Sequence, residues 1–224
     1  MATGFFVAFE GCEGSGKSTQ AQLLLDHILE HRSRAVLVHE PGTTPLGLYL
    51  RNYLKSKQPL SKEAELLLFE ASRAQLVVDK IQPSLTNNFV VIADRFSASS
   101  VAYQGYGRKI DIDLIQRLND FATAGLTPDL TILLDIDPAE GLRRVAQQFK
   151  MALGPNVEAE PGRLDVEAHR KFEDQPIHFH SRVRKGYLTI AKSDPERWLI
   201  VDASGSEDEV SNKVRKEVTT RLKV

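Results

Sequence analysis

Eight residues near the N-terminus, Gly11-Cys12-Glu13-Gly14-Ser15-Gly16-Lys17-Ser18, fit the pattern G-x-x-x-x-G-K-[ST]. Residues of these types at this spacing suit one task, the holding of a polyphosphate. Glycines let backbone N–H groups turn inward toward phosphate oxygens. A helix N-terminus behind the loop adds partial positive charge. Lys17 can reach the β- and γ-phosphates, and the Ser18 hydroxyl can ligate Mg2+. Cys12 reads as a small filler whose backbone matters more than its thiol. Asp94 ends an apolar run, where ligands bind in open α/β sheets, and its carboxylate can hold Mg2+ directly or through water. Asp135 closes another apolar run, and both a site role and a helix N-terminal contact stay open for it.

These residues need strands and helices to position them. Phe5 to Phe9 reads as a fully buried strand running into the loop. Lys17 to His31 follows without Gly or Pro, and its Ala21, Leu24, Leu25 and Ile28 fall on one helix face. Ala35 to Val38 is a second strand, ended by Glu40-Pro41-Gly42. A long helix is expected from Ser61, an N-cap with Glu63 and Glu65 in its first turn, to Pro83, which should stop it. Its stripe Ala64, Leu67, Leu68, Ala71 and Val78 should pack inward. Phe89 to Ala93 is a third strand, with Asp94-Arg95 at its end. Ile112, Ile115, Leu118 and Ala122 mark a helix closed near Gly125. Leu130 to Leu134 is a fourth strand, and Asp137-Pro138-Ala139-Glu140 opens the helix after it. Trp198 to Val201 is a fifth strand. Ser206 and Glu209 form a capping box for a last helix carrying Val210, Val214 and Val218. This alternation of near-continuous apolar strands with helices predicts an α/β fold whose parallel sheet is covered on both faces.

The chain has 224 residues, enough for one large domain with a real core. Its 29 basic and 30 acidic residues argue against broad affinity for nucleic acid or anionic membrane. One cysteine rules out an internal disulfide and fits a reducing, cytoplasmic setting. No apolar run approaches the roughly 20 residues of a membrane span, and no secretory signal is visible. A GTPase would show Asn-Lys-x-Asp after a strand, but Asn212-Lys213 falls within a predicted helix. Motor ATPases carry more chain. The pattern instead suggests a kinase of a small phosphorylated acceptor.

Five segments then carry a resemblance. Phe9-Glu10-Gly11-x-Glu13-Gly14-x-Gly16-Lys17-Ser18-Thr19 resembles the opening of thymidylate kinases. Glu40-Pro41-Gly42-Thr43-Thr44-x-Leu46-Gly47 is similar to their Glu-Pro-Gly-Gly-Thr segment, with Thr43 in place of a usual glycine. Leu68-Phe69-x-Ala71-x-Arg73-x-Gln75 resembles their base-reading helix. Asp94-Arg95-Phe96 followed by Ser99-Ser100-x-Ala102-Tyr103-Gln104-Gly105 resembles their most diagnostic segment. Arg182-Val183-Arg184-x-Gly186-Tyr187-Leu188 is similar to the helix after their lid. The resemblance implies a P-loop nucleoside monophosphate kinase-like three-layer fold: one domain over residues 1–224, a five-stranded parallel sheet, and a lid at about 143–171. It also implies the reaction ATP + dTMP → ADP + dTDP with Mg2+, small-molecule substrates only, and a homodimer joined through the exposed halves of the early helices.

The same resemblance assigns residues. Gly11 and Glu13 through Thr19, with Ser15 among them, would cradle ATP, and Ser18 and Asp94 would hold the metal. Phe69 and Arg73 share a helix face, and they would stack on the base and bind its O4. Ser100 would face N3–H, Tyr103 the sugar, and Glu13 the 3′-hydroxyl. Arg95 and Arg51 would hold the acceptor phosphate, because planar guanidinium suits bidentate phosphate binding. Ser99 would lie near the nucleotide, as would Gln104 and Arg108, which flank a Gly-rich turn. The loop offers no cation besides Lys17, so the lid must supply another. The candidates are Arg143, Arg144, Lys150, Arg163, Arg170 and Lys171, with Arg143 and Arg163 preferred. This chain has Arg170-Lys171-Phe172-Glu173 where the family pattern has Asp-Arg before Phe-Glu. A kinase of dUMP or UMP is the nearest rival reading, and a non-catalytic nucleotide-binding regulator a more distant one.

Overall fold

The computed structural model describes residues 4–31, 34–55, 58–153 and 172–222. Its elements are β1 (Phe5–Glu10), α1 (Lys17–His31), β2 (Ala35–His39), α2 (Pro45–Lys55), α3 (Lys62–Leu76), a π-type turn (Val77–Ile81), α4 (Gln82–Thr86), β3 (Val90–Asp94), α5 (Ser97–Ser100) and a second π-type segment (Val101–Gly107). They continue with α6 (Ile112–Thr123), β4 (Leu130–Asp135), α7 (Pro138–Leu153), α8 (Ile177–Ser193), β5 (Trp198–Asp202) and α9 (Glu207–Leu222). All strand pairings are parallel, in the order β2-β3-β1-β4-β5.

The inner strands β1, β3 and β4 are apolar along nearly their whole length because both sheet faces are covered there, while the edge strand β5 leaves Ile200 exposed. Val7 and Phe9 point to one side and pack with Ala21, Leu24 and Ile28 of α1 and Val210, Val214 and Val218 of α9. Phe6 and Ala8 point to the other side, against Leu76, Ile81 and Phe96. A third cluster joins Cys12 and Leu133 to Tyr103, Phe179, Val183 and Tyr187, anchoring α8 beneath the loop after β1. The three-layer expectation therefore holds.

Register brings the chemistry to one edge. Phe9 pairs with Asp94, Asp94 with His39, and Glu10 with Leu133, so the carboxyl ends of β1, β2, β3 and β4 line up. The chain switches direction across the sheet at β1, where doubly wound sheets open a crevice.

Several local expectations hold at atomic level. Ser61 accepts from the backbone N–H of Ala64, and Ser206 and Glu209 exchange reciprocal capping bonds. Asp137 accepts from the N–H of Ala139. Three others need correction. Pro83 does not stop the long helix: the π-type turn at 77–81 intervenes, with the Gln82 N–H bonding Val77 O, and Pro83 then sits in the first turn of α4. A wide turn absorbs the donor that proline lacks. The inward face of α3 is not the apolar stripe, since Leu67 and Val78 are exposed while Glu65, Leu66, Glu70, Ser72, Arg73 and Leu76 are buried. The buried face carries charges because each is paired: Glu70 with Arg73, Arg73 also with Glu40, and Glu65 with Arg108. The region expected as a Gly-rich turn near Gln104 is helical, at 101–107.

Candidate active site

The loop from Gly11 to Gly16 lies between the end of β1 and the start of α1. Gly14 packs so closely on α7 that a Cβ there would stand 2.0 Å from the carbonyl oxygen of Gly141. It also carries a φ of 69°, so no side chain is tolerated. Lys17 folds along the loop, donating to Cys12 O at 2.7 Å and to Ser15 Oγ at 3.2 Å. Burial and the nearby Arg95 lower its ammonium to about 8. Burial pushes the Cys12 thiol up to about 12, which removes it as a nucleophile.

Asp94 ends β3 beside the loop. The Ser18 hydroxyl donates to its Oδ2, and His39 Nδ1 stands 3.5 Å from the same oxygen. Burial raises Asp94, but His39, Lys17, Ser18 and Arg95 overcome it and hold the carboxyl at about 2. An ionised carboxylate touching a hydroxyl supplies hard oxygen donors that fit Mg2+.

Arg95 follows with a left-handed φ of 72°, rare for a side chain of its kind. Its guanidinium reaches Gly11 O (3.2 Å), Ser99 Oγ (3.4 Å), Tyr187 OH (3.4 Å), Glu13 Oε1 (3.4 Å) and Tyr103 OH (3.3 Å). All of these are longer than the usual 2.7–2.9 Å of charge-assisted bonds. Its donors are thus oriented yet only loosely engaged, which suits capture of an anion. Glu13 is buried, and Tyr103 OH donates to its Oε1.

A cleft of about 620 Å3 joins these groups to a second region. Glu13, Gly14, Lys17, Ser18, Asp94 and Arg95 line it together with Arg51, Phe69, Arg73, Ser99, Ser100, Tyr103 and Gln104. The cleft therefore collects the loop residues and both arms of the expected acceptor pocket. Arg51 passes over Gly42, where a Cβ would meet its Nη1 at 3.0 Å. Phe69 faces Phe172 across 6.3 Å, and Tyr103 meets Phe172 edge-on at 5.3 Å. Ser100 Oγ is buried with no hydrogen-bond partner among the described residues. Gln104 donates to Glu65 at 3.0 Å, and Arg108 bonds the same carboxylate.

Arg73 is more constrained than its sequence context suggested. It is 1% exposed, paired with Glu40 through Nη2 and with Glu70 (2.7 Å) and Asn119 (2.6 Å) through Nη1. Among the described residues only its Nε lacks a partner. Burial disfavours its charge, but Glu40 and Glu70 raise it further above the ordinary arginine value.

Other residues fall outside the cleft. Asp135 is taken by Arg184, which grips it at 2.8 and 2.9 Å, so it serves neither the site nor a helix N-terminus. Arg143 is 56% exposed and doubly bonded to Glu140 at 2.7 Å, while Val145 is the α7 residue that lines the cleft. Arg144 donates to Ala203 O and Ser204 O. Arg163, Arg170 and Lys171 lie outside the described residues, as does most of the expected lid. Sequence reasoning missed His39, Glu40, Phe172 and the buried His180 beside Glu13. Only Glu40 and Phe172 carried a signal, through the motifs that contain them.

Residues 9–214 match the profile of the thymidylate kinase family. The thymidylate kinase of Oleidesulfovibrio alaskensis is 45% identical over 215 residues, covering 95% of this chain and 96% of its own. That of Kosmotoga olearia is 40% identical over 219 residues, with 97% of each chain covered. The crystal structure of a thymidylate kinase from Ehrlichia chaffeensis superimposes with a TM-score of 0.73 at 34% identity, covering 98% of this chain and 99% of that one.

The lowered Lys17 leads to a pH-dependent outcome. Between pH 8 and the ordinary 10.5 the free loop has lost the ammonium proton, and a bound polyphosphate restores it. ATP binding at about pH 9 should therefore take up protons, and binding well below pH 8 should not. Calorimetry in two buffers of different ionisation enthalpy reads this directly. An apparent enthalpy independent of buffer at the higher pH would contradict it.

Proposed function

The chain belongs to the thymidylate kinase family, and on that premise we propose that it transfers the γ-phosphoryl group of ATP to dTMP, giving ADP and dTDP. The observation that carries this reading is the cleft itself: two separate cations, Lys17 and Arg95, line it together with Phe69, Arg73 and Ser100.

Each part has a role in the proposal. Backbone N–H groups of the Gly11–Ser18 loop and Lys17 hold the donor phosphates. Arg95 and Arg51 hold the acceptor phosphate. Phe69 stacks on thymine, and Arg73 and the unpartnered Ser100 hydroxyl read its polar edge. A buried hydroxyl without a partner is costly, and a base N–H or carbonyl supplies one. Tyr103 packs against the deoxyribose, and Glu13 meets its 3′-hydroxyl. Ser18 and Asp94 hold Mg2+, which when bound neutralises charge on the donor phosphates. The acceptor phosphate is already anionic, so the protein needs no general base; it orients the reacting oxygens and excludes water. A further cation on the transferred group comes from Arg143 or Arg163 in this proposal, and Arg143 would have to leave Glu140 to act.

We also propose a cytoplasmic location, supported by the use of ATP and by a single thiol, Cys12, that is buried. No described helix is long and apolar enough to cross a membrane. A homodimer is proposed as well. It is supported by apolar side chains facing solvent on α3 and on the two helices packed against it: Tyr49 of α2, Leu67 of α3 and Phe121 of α6, the last 87% exposed. Sedimentation at the mass of a single 25.0 kDa chain would contradict it.

One coupled ADP-release assay tests the catalytic reading. dTMP should be the best acceptor, dUMP weaker, and UMP, CMP and AMP near background; faster turnover of UMP or AMP would overturn the assignment. In the same assay Lys17→Ala should lower turnover by orders of magnitude. At least one of Arg143→Ala and Arg163→Ala should lower it by about 10³-fold or more with little change in dTMP affinity. Full activity in both arginine variants would place the transferring cation elsewhere.

A further inference from the structure

His180 is 1% exposed on α8, an imidazole edge-on to the ring of Phe179 at 5.5 Å rather than an apolar side chain. Its Nδ1 stands 3.3 Å from Oε2 of Glu13. The other oxygen of Glu13 is already occupied, since Tyr103 OH donates to it and Arg95 Nη2 lies 3.4 Å away. Neither ring nitrogen of His180 nor Oε2 of Glu13 has a hydrogen-bond partner among the described residues, and the 3.3 Å approach is the one ion-pair contact between them. The two unpartnered groups thus lie close together with little solvent access. A buried polar ring in such a place is expensive unless it serves its neighbour.

We infer that His180 is a positioning residue for the acceptor: its Nδ1–H fixes the Oε2 oxygen of Glu13, so that the carboxylate is held from both sides and presents one orientation to the hydroxyl of the acceptor sugar. This rests on the reading that Glu13 receives the 3′-hydroxyl. His180 itself does not line the cleft, so it acts through Glu13 and not on substrate. The charge balance agrees with the geometry. Burial raises Glu13, but His180, Arg95, Lys17 and Tyr103 overcome it and hold the carboxyl at about 2. A carboxylate that stays ionised and fixed gains a hydroxyl donor at little reorganisation cost, and discriminates against acceptors that lack it.

The test pairs two variants with two acceptors, dTMP and its 3′-deoxy analogue. His180→Phe keeps the ring volume and loses Nδ1–H. His180→Asn offers a side-chain N–H near the same place. His180→Phe should raise KM for dTMP about 10-fold, with a smaller change in kcat and no change in KM for ATP. With the 3′-deoxy acceptor, wild type and His180→Phe should have equal KM. His180→Asn should recover most of the preference for dTMP, and circular dichroism should confirm that both variants are folded. An equal rise in KM for both acceptors would make His180 a packing residue and overturn the inference. Wild-type discrimination retained undiminished in His180→Phe would overturn it too. A wild type that does not distinguish the two acceptors would instead overturn the underlying Glu13 reading, and the inference with it.

Discussion

The carboxylate of Glu10 is the constraint from which the site is built. It sits at the end of β1 with no solvent access, where an unsatisfied carboxylate would be prohibitive. It is satisfied by the backbone N–H of Phe96 (2.9 Å) and Ser99 (3.2 Å), the Ser99 hydroxyl (2.6 Å) and the Tyr187 hydroxyl (2.8 Å). Burial raises Glu10, while Ser99, Arg95, Phe96 and Tyr187 pull the other way. One side chain thereby ties the end of β1 to the turn after β3 and to α8. The turn is the strained one, with Arg95 in the left-handed region. Strain of that kind persists only where the surroundings over-determine it, and Glu10 is the centre of those surroundings. Arg95 is then aimed back across Gly11 into the cleft.

A second buried polar group does similar work elsewhere in the cleft. Arg73 with Glu40, Glu70 and Asn119 joins α3 to the end of β2 and to α6. Removing one partner from such a group leaves an uncompensated charge, so the group behaves as a unit. Burial pushes Glu40 up to about 7 against the pull of Arg73, because two carboxylates share one guanidinium. Phe69, on the same helix, is placed by that anchor and not by an apolar stripe.

Much of this was legible in the sequence, and what was not has physical reasons. The strands were readable because a doubly covered sheet demands unbroken apolar runs. α1 begins and ends where its periodicity does, at Lys17 and His31. The phosphate loop was readable because backbone geometry forces glycine at fixed spacing. The π-type turns at 77–81 and 101–107 were not, since a widened turn is set by tertiary packing and leaves no periodic mark. The buried face of α3 leaves no clean apolar stripe, because beside Leu66 and Leu76 it carries the paired charges Glu65, Glu70 and Arg73. His180 was invisible because its partner lies 167 positions away in the chain, counting from Glu13 to His180, and a lone histidine on a helix carries no signal of its own.

On the proposal that Arg95 holds the acceptor phosphate, Glu10 fixes the turn that aims its guanidinium. This role of Glu10 is tested most directly by the steady-state kinetics of Glu10→Gln, which keeps the shape but removes the charge and turns two amide donors toward the Ser99 and Tyr187 hydroxyls. The variant should fold, with a KM for dTMP raised about 10-fold and a KM for ATP within about 2-fold of wild type, since the phosphate loop is held separately by the close packing of Gly14 on Gly141. A KM for dTMP unchanged from wild type would contradict it.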